Sequence, residues 1–389
     1  MTFILLFSYL LLIVYSGLLL FYRFGWKQIP VFIPTTPELE PATFISVLIP
    51  ARNEANNLPV LLNSLLAQNY PRGLFEVIVI DDHSTDLTVE TVSRLYSNFK
   101  ILSLKDFMPE GTMNSYKKKA IEIGIQQAKG ELIVTTDADC VAESGWLKTI
   151  ASFYETFRPE LIVMPVSIHN NKRPIEIFQA LDFMTLQGIT GAAVHKKVHS
   201  MCNGANLAYT RKAFETVNGF QGIDAIASGD DMLLMHKIAK QFPNGIAYLK
   251  SPEVIISTAP VNGIKDFFNQ RIRWASKADK YEDKRIFWVL LLVYFFNVVL
   301  LFLPVFILGA AVLGRVNNQI GCILKSWLIL VSLKTFIELI FLYPVAQFFK
   351  KEKLLWYFPL AQPFHIVYTI IAGWLGKFGS YRWKERIVK

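Results

Sequence analysis

The chain has 389 residues, of which 52% are hydrophobic, and its formal net charge is +9 at pH 7. This length accommodates one sizeable globular domain and several membrane segments, since domains commonly span about 100–200 residues. The basic residues form no stripe interleaved with stacking aromatic residues, so no nucleic-acid partner is predicted. The three cysteines lack the CxxC spacing of zinc sites and indicate no disulfide framework. The positive charge instead indicates anionic lipid headgroups and a phosphorylated ligand.

The first predicted element is a membrane helix, assigned to residues 1–23. From Phe3 to Tyr22 there are twenty residues without a charge, about the length that a helix needs to cross ~30 Å of hydrocarbon. A cleaved signal peptide is the alternative, but no basic region precedes the apolar run, and Arg23 and Lys27 follow it. By the positive-inside rule, these two cations predict an external N-terminus and place the chain after Arg23 in the cytosol.

Residues 24–44 are predicted to form an extended linker between this anchor and a soluble domain. The segment contains four prolines, at positions 30, 34, 37 and 41. Proline removes a hydrogen bond from a helix interior and clashes with the preceding turn, so a regular helix is not expected here. The soluble domain is therefore predicted to begin at residue 45 and to extend to residue 285.

Alternating strands and helices in the soluble domain predict the α/β fold class, with a mostly parallel sheet flanked by helices. Residues 45–50 are apolar and rich in β-branched side chains, which is typical of a buried strand. Further strands are predicted over residues 75–80, 101–104, 131–136 and 161–166, and helices over residues 54–68, 86–96 and 116–128. Such alternation is typical of parallel strands joined by right-handed crossovers.

Polar residues follow three of the predicted strands at the point where each strand ends. They occupy Pro50–Glu54, Asp81–Asp86 and Asp137–Asp139. In open α/β sheets, ligands bind beyond the carboxyl ends of the strands. The three clusters are therefore predicted to converge on one crevice, which would contain Pro50 and Ala51.

The pair Asp137 and Asp139 predicts a divalent metal site for Mg²⁺ or Mn²⁺. Carboxylates two residues apart beside a turn can share one cation, which takes its other ligands from water and substrate oxygens. A lone Asp-x-Asp is common on protein surfaces, but this one directly follows the buried strand Leu132–Thr136. The cation would neutralise the negative charge of a diphosphate that acts as a leaving group.

The other two clusters supply further candidates for binding the molecule that carries the diphosphate, here called the donor. Asp81 and Asp82 are predicted to accept hydrogen bonds from a base or a ribose, and a helix-capping role is the alternative. Arg52 and Glu54 follow the first strand. Lys117, in a run of three lysines, would contact phosphate, although such a run is also typical of a solvated helix face.

The C-terminal region, residues 286–389, is predicted to cross the membrane two to three times. Its apolar runs are residues 286–313, 322–349 and 354–375, of which the first two are long enough to span. Pro359 and Pro363 make the third run either a surface or re-entrant segment or a crossing. Before this region, a basic, aromatic helix over residues 262–280 is either an interfacial element or an ordinary packed helix.

The order of the motifs resembles that of glycosyltransferase family 2. The residues that carry this resemblance, over roughly 45–280, are Val47–Glu54, Val79–Asp86, Thr136–Asp139, Gly204–Asn206, Ser228–Asp231 and Gln270–Trp274. The last of these is similar to the Q-x-x-R-W motif of membrane members such as cellulose synthase-like, hyaluronan synthase-like and ceramide glucosyltransferase-like enzymes.

The resemblance implies a GT-A fold, a nucleotide-sugar donor such as a UDP-sugar, a divalent metal and inversion at the anomeric carbon. It makes Asp231 the general base, with Asp230 in the place of the family's usual glutamate. It assigns Arg271 and Arg273 to the donor diphosphate. The acceptor side would comprise Gly204, Asn206, Asp230, Gln270 and Trp274.

The predicted function is therefore transfer of a hexose to a hydroxyl of a membrane-associated lipid or glycan. The alternatives are a processive polysaccharide synthase and a non-catalytic membrane scaffold that binds nucleotide-sugars. A transporter is disfavoured because the membrane part is small beside the soluble domain. The compact architecture is typical of a multi-pass protein of the bacterial inner membrane with a cytosolic catalytic domain, and no oligomeric state is predicted.

Overall fold

The computed structural model describes residues 2–34, 41–96, 98–109, 115–169, 173–198, 201–226, 228–277, 283–314, 318–379, 381–383 and 386–388. The chain forms two compact units. Gln28–Asn170 and Ile189–Pro260 make up the first, here called the sheet unit. Met1–Lys27, Asn171–Gly188 and Val261–Lys389 make up the second, the helical unit. Residues 171–188 and 261–285, predicted as part of the soluble domain, therefore group with the apolar helices.

The helices, in chain order, are α1 (Thr2–Gln28), α2 (Leu58–Leu66), α3 (Thr88–Leu95), α4 (Tyr116–Gln127), α5 (Trp146–Phe157), α6 (Pro174–His195), α7 (Arg211–Thr216), α8 (Met232–Gln241), α9 (Gly263–Ala275), α10 (Lys284–Val312), α11 (Asn318–Phe348) and α12 (Phe358–Phe378). The strands are β1 (Ile45–Ala51), β2 (Phe75–Asp81), β3 (Lys100–Ser103), β4 (Leu132–Thr135), β5 (Cys140–Val141), β6 (Leu161–Val163), β7 (Val166–Ile168), β8 (Leu207–Thr210), β9 (Ile246–Tyr248), β10 (Ile256–Thr258), β11 (Tyr381–Trp383) and β12 (Arg386–Val388).

The sheet unit is built on a seven-stranded sheet with the order β3-β2-β1-β4-β8-β6-β9. Strands β1, β2, β3 and β4 are mutually parallel, whereas β8 is antiparallel to both of its neighbours. This confirms the predicted mostly parallel sheet. The strand predicted over 161–166 is wrong in one respect, because it is two short strands. Proline, which cannot donate to a ladder, lies between them at 165, and β7 joins a separate sheet of order β5-β10-β7.

The core of the sheet unit fixes α4 against the central strands. Every residue of β4 is buried, as are nearly all residues of β1 and β2. Gly124 of α4 faces this core so closely that a Cβ atom there would lie 3.1 Å from Ile80 Cδ1 and 3.2 Å from Leu48 Cδ1. Because α4 packs closely on the sheet, the side chains of its first turn lie at the sheet edge.

Among the residues that the structure describes, four segments are long and apolar enough to cross a membrane. They are Phe3–Gln28, Lys284–Val312, Asn318–Phe348 and Glu352–Phe378. The result is one N-terminal and three C-terminal candidates, the upper limit of the predicted range. Helix α1 ends at Gln28 instead of Arg23, so the first residues of the predicted linker are helical, since no proline occurs before position 30.

A closed polar network lies inside the helical unit. The Lys334 ammonium donates to Glu338 Oε1 at 2.7 Å and to Gln362 Oε1 at 2.8 Å. Glu338 also accepts from the Tyr15 hydroxyl at 2.5 Å and from Gln362 Nε2 at 2.6 Å. Lys334 and Glu338 are buried. The network joins α1, α11 and α12, because charges buried away from water need compensating partners.

Candidate functional site

The carboxyl ends of three parallel strands meet at one edge of the sheet unit, as predicted. In the register of β1 and β2, Ala51 pairs with Asp81. Just beyond these ends, the backbone N–H of Asp82 donates to the Ala51 carbonyl at 2.7 Å, and that of Thr136 donates to the Leu48 carbonyl at 3.2 Å. The loops that follow β1, β2 and β4 therefore start side by side.

The loops after β1 and β2 are tied together by side chains. Arg52 Nη1 donates to the Asp82 carbonyl at 3.0 Å and lies 3.9 Å from Asp82 Oδ1. Ser84 Oγ accepts from the Asn53 N–H at 3.0 Å, and Asn53 Oδ1 accepts from the Thr85 N–H at 2.8 Å. Arg52 and Asp82 are both buried. The predicted donor-binding clusters after β1 and β2 are thus joined by hydrogen bonds.

The two aspartates at the end of β2, Asp81 and Asp82, have different roles. Asp81 is buried and caps the turn, since its carboxylate accepts from the Ser84 N–H at 3.2 Å. Asp82 lies 3.2 Å from Nδ1 of His83, whose other ring nitrogen is 3.3 Å from the Met108 carbonyl. Asp81 therefore stabilises the turn after β2 and caps no helix, since the N-cap of α3 is Leu87, and His83 orients the Asp82 carboxylate.

Lys117 connects the metal-binding candidate to the acidic pair that precedes α8. Its ammonium lies 2.7 Å from Asp137 Oδ1 and 3.1 Å from Asp230 Oδ2. Burial alone would lower the pKa of Lys117, but the two carboxylates outweigh it and raise that pKa above its ordinary value. The ammonium therefore stays charged at neutral pH, and the structure brings together three of the predicted site residues.

The two lysines that follow have different surroundings. Lys118 is buried, and its ammonium donates to the carbonyls of Ile223 at 2.6 Å, Ile226 at 2.6 Å and Ser228 at 3.2 Å. Lys119 pairs with Glu122 at 2.8 Å on the surface. Only Lys119 fits the solvated helix face, and the sequence did not single out Lys118 as a support for the loop that leads to Asp230.

Asp231 is the N-cap of α8, and its carboxylate is held from two sides. Oδ1 accepts from the Met232 N–H at 2.7 Å and Oδ2 accepts from the Gly204 N–H at 3.1 Å. A Cβ atom at Gly204 would lie 3.0 Å from Asp230 Oδ2 and 3.4 Å from Lys117 Nζ. The absence of a side chain at 204 therefore permits the close approach of this loop to the acidic pair.

Asn206 has a structural role, which corrects the predicted acceptor contact. Its side chain is fully buried, and Oδ1 accepts from Trp146 Nε1 at 3.0 Å. Its Nδ2 donates to the carbonyls of Pro165 and Val254, each at 2.7 Å. With its amide occupied in this way, Asn206 connects α5 to the segments at Pro165 and Val254.

The acidic residues after β4 fit a divalent cation with partial protein ligation. Asp137 is partly exposed, with 38% of its side chain accessible, and Asp139 is exposed. Within the described residues there is no group of three or more His, Cys, Asp or Glu side chains that could hold a metal. Two carboxylates alone suit Mg²⁺ or Mn²⁺, which commonly keep waters and bind substrate phosphates.

The predicted Q-x-x-R-W residues lie on α9 in the helical unit. Arg271 is buried, its Nε and Nη2 donate to Asp182 Oδ2 at 2.9 and 2.6 Å, and its Nη1 donates to Gln270 Oε1 at 2.6 Å. An arginine whose donors already bind Asp182 and Gln270 is a poor phosphate ligand. The predicted contact of Arg271 with the donor diphosphate is therefore corrected to a buried ion pair with Asp182. Arg273 and Trp274 are half-buried.

Two family descriptions match the chain. The one described as "Glycosyl transferase family 2" covers residues 46–217, and the one described as "Glycosyl transferase family group 2" covers residues 132–351, more than half of the chain. The matched ranges include the three strand-end clusters, the helix α9, and the acidic pair that precedes α8.

Curated relatives carry related names. Glycosyltransferase AglE of Haloferax volcanii is 35% identical over 108 residues, 27% of this chain and 33% of that protein. Poly-beta-1,6-N-acetyl-D-glucosamine synthase of Staphylococcus epidermidis is 26% identical over 251 residues, 59% of this chain and 53% of the relative. The matched regions thus span about a third to about a half of the length of these relatives.

The fold has a counterpart among solved structures. Mannosyltransferase PcManGT from Pyrobaculum calidifontis, in complex with GDP-Man and Mn²⁺, gives a TM-score of 0.59 at 19% sequence identity, covering 93% of this chain and 99% of that one. At this identity the likeness shows the fold alone, which confirms the predicted GT-A fold. Together with the family match over more than half of the chain, these findings show that the protein belongs to glycosyltransferase family 2.

Proposed function

We propose that the protein is an inverting hexosyltransferase that moves a sugar from a nucleoside-diphosphate sugar, in the first instance a UDP-sugar, to a hydroxyl of a membrane-associated lipid or glycan. The observation that carries this proposal is the contact of Lys117 with both Asp137 and Asp230. A positive charge between the metal-binding carboxylate and the proposed catalytic pair is what a departing diphosphate requires.

The donor would lie along the ends of β1, β2 and β4. The nucleoside would bind at the joined loops after β1 and β2. The residues proposed to hold it are Arg52, Glu54 and Asp82, with the adjoining Pro50, Ala51 and Asp81. Asp137 and Asp139 would hold Mg²⁺ or Mn²⁺, which when bound neutralises charge on the diphosphate. Lys117 supports the same task with a charge of its own.

Asp231 is the proposed general base. As the acceptor oxygen forms its bond to the anomeric carbon, the bond from that carbon to the diphosphate breaks, and Asp231 takes the hydroxyl proton. Attack opposite the leaving group inverts the configuration. Backbone N–H groups of Met232 and Gly204 hold the carboxylate, so the base enters the reaction without a change of rotamer.

We assign the acceptor to a lipid or a membrane-presented glycan. Its proposed contacts are Gly204 and Asp230 within the sheet unit, and Gln270 and Trp274 within the helical unit. The support is the four candidate spans among the described residues, with the sheet unit in the cytosol as Arg23 and Lys27 near the C-terminal end of α1 predict. Lys334 and Glu338, which lie within one of these spans, are paired with each other. Such a closed pair gives no polar lining for a polymer to pass along.

A processive polysaccharide synthase is the second candidate. The name and the extent of the Staphylococcus epidermidis relative, which aligns with 59% of this chain, favour it. The two candidates differ in product length. A single-transfer enzyme adds one sugar to each acceptor, whereas a synthase yields a ladder of masses.

The test uses the full-length protein in detergent with a lipid extract, Mn²⁺ or Mg²⁺, and a panel of UDP- and GDP-sugars. We expect release of one nucleoside diphosphate and a lipid product that is heavier by one hexose in mass spectrometry. A ladder of products would support the synthase. Absence of turnover with every donor and both metals would refute the enzyme proposal and support the non-catalytic scaffold.

A further inference from the structure

The guanidinium of Arg271 is enclosed by aromatic rings of its own helix. Its central carbon lies 4.6 Å from the centroid of the Phe267 ring and 4.2 Å from that of Trp274. Phe267 is fully buried, whereas Trp274 is half-buried. The guanidinium therefore connects a ring in the core of the helical unit to an indole at its surface, through cation–π contacts.

Asp182 of α6 binds this guanidinium with one carboxylate oxygen and a tyrosine hydroxyl with the other. Its Oδ2 accepts from Arg271 Nε and Nη2 at 2.9 and 2.6 Å. Its Oδ1 accepts from the hydroxyl of Tyr368 on α12. The Arg271 and Asp182 side chains are 4% and 5% exposed. A buried ion pair persists only when its remaining hydrogen-bonding capacity is satisfied, and Tyr368 provides that here.

Helix α12 also supports α9 through apolar contacts. Phe267 and Ile272 of α9 share a cluster with Tyr368 and Ala372 of α12. Near the end of both helices, a Cβ atom at Gly376 would lie only 2.6 Å from the Ala275 Cβ. The position of α9 is thus set by a helix that is itself a membrane-span candidate.

We propose that Asp182 and Tyr368 are positioning residues for acceptor binding. They hold Arg271 in one orientation, and the stacked guanidinium holds the plane of the Trp274 indole, on which the acceptor binds. This inference rests on the proposed function, in which Trp274 contacts the acceptor. A buried ion pair adds little net stability compared with apolar side chains of equal volume, so its effect here is on geometry. The acceptor-binding indole is thereby coupled to α6 and α12.

The test compares Asp182→Asn with Tyr368→Phe. Both keep the size of the side chain, and the second removes only one hydroxyl. We expect the KM for the acceptor to rise at least about tenfold in Asp182→Asn and less in Tyr368→Phe, as is typical of a misplaced binding group. The KM for the donor and the rate of donor hydrolysis without acceptor stay within twofold. Such a split would not follow from general loss of structure.

Matched controls are available in the same unit. Asp283→Asn alters an aspartate that also pairs with an arginine, Arg285, at 2.7 Å but at the surface. Tyr343→Phe removes a hydroxyl from an exposed tyrosine of α11. Both are expected to retain the acceptor KM of the parent protein. A tenfold rise in either control would overturn the assignment, since the effect would then not be specific to the contacts of Arg271.

A second readout does not depend on turnover. The fluorescence difference between the parent protein and Trp274→Phe reports on this indole alone. In the Asp182→Asn background we expect that difference to become more accessible to acrylamide quenching. Unchanged quenching in both Asp182→Asn and Tyr368→Phe would overturn the proposal, as would an equal loss of donor hydrolysis and transfer. If the parent protein turns over no donor, the proposed function fails while the quenching result still tests the positioning of Trp274.

Discussion

Replacement of Lys117 tests the charge arrangement of the site. The ammonium lies 2.7 Å from Asp137 Oδ1 and 3.1 Å from Asp230 Oδ2. At an effective dielectric constant of about 20, unit charges at these distances attract each other by roughly 5–6 kcal/mol per pair before the cost of desolvation is subtracted. Lys117→Met removes the charge and keeps most of the apolar stem.

We expect two opposite effects of Lys117→Met. The value of kcat should fall by about 10²–10³-fold, because one pre-organised group facing the leaving diphosphate is lost. The Mn²⁺ affinity of the donor-free protein should rise, because Asp137 no longer shares its carboxylate with an ammonium. Release of nucleoside diphosphate at saturating donor measures the first effect, and electron paramagnetic resonance of free Mn²⁺ measures the second.

The matched control for this experiment is Lys119→Met. It makes the same substitution two residues away, where the ammonium pairs with Glu122 at 2.8 Å on the surface. Lys119→Met should retain both kcat and Mn²⁺ affinity within twofold. If Lys117→Met behaved like this control in both assays, the reasoning from the two carboxylate contacts would be refuted.

Three further changes test other parts of the structure. Lys118→Met should lower kcat more than it raises the donor KM, because the ammonium that holds the loop before Asp230 is lost, and steady-state kinetics measures this. Asn206→Ala should lower the free energy of unfolding of the sheet unit by about 3 kcal/mol or more, because the Trp146 N–H and two carbonyls lose a buried partner. Glu338→Gln should lower the thermal stability in detergent by the equivalent of about 3–5 kcal/mol, and a Lys334→Met/Glu338→Leu double variant should be more stable than that single variant.

Each of these expectations has a result that contradicts it. For Lys118→Met it is a kcat equal to that of Lys119→Met. For Asn206→Ala it is a denaturant midpoint within experimental error of the parent. For the buried pair it is a double variant less stable than Glu338→Gln.

The part of the fold that the sequence predicts well consists of locally encoded elements. The apolar, β-branched runs that form β1, β2 and β4 are buried in a parallel sheet, so each reads as a strand without reference to any other segment. The polar residues that follow them converge because parallel strands place their carboxyl ends at one edge. Gly204 reaches the same edge because it precedes β8, which runs antiparallel to β4, and its N–H donates to Asp231, the N-cap of α8.

The contacts that the sequence did not predict join residues far apart in the chain. Asp182 and Arg271 are 89 positions apart, and neither the spacing nor the residue type indicates the pair. Asn206 resembles a ligand-binding residue in its motif but is buried by α5 and the loop at Pro165. The side chains of Lys117, Lys118 and Lys119 leave α4 in different directions. Their surroundings therefore depend on how α4 packs on the sheet at Gly124.

The central claim is that Asp231 removes the acceptor proton at a site where other residues bind the donor. The most direct measurement is single-turnover transfer by Asp231→Asn together with donor affinity from calorimetry, with Asp224→Asn, an exposed aspartate of the preceding loop, as the control. We expect Asp231→Asn to bind donor within twofold of the parent and to transfer at a rate lower by about 10²–10⁴-fold. Transfer at the parental rate by a variant that still binds donor would contradict the account.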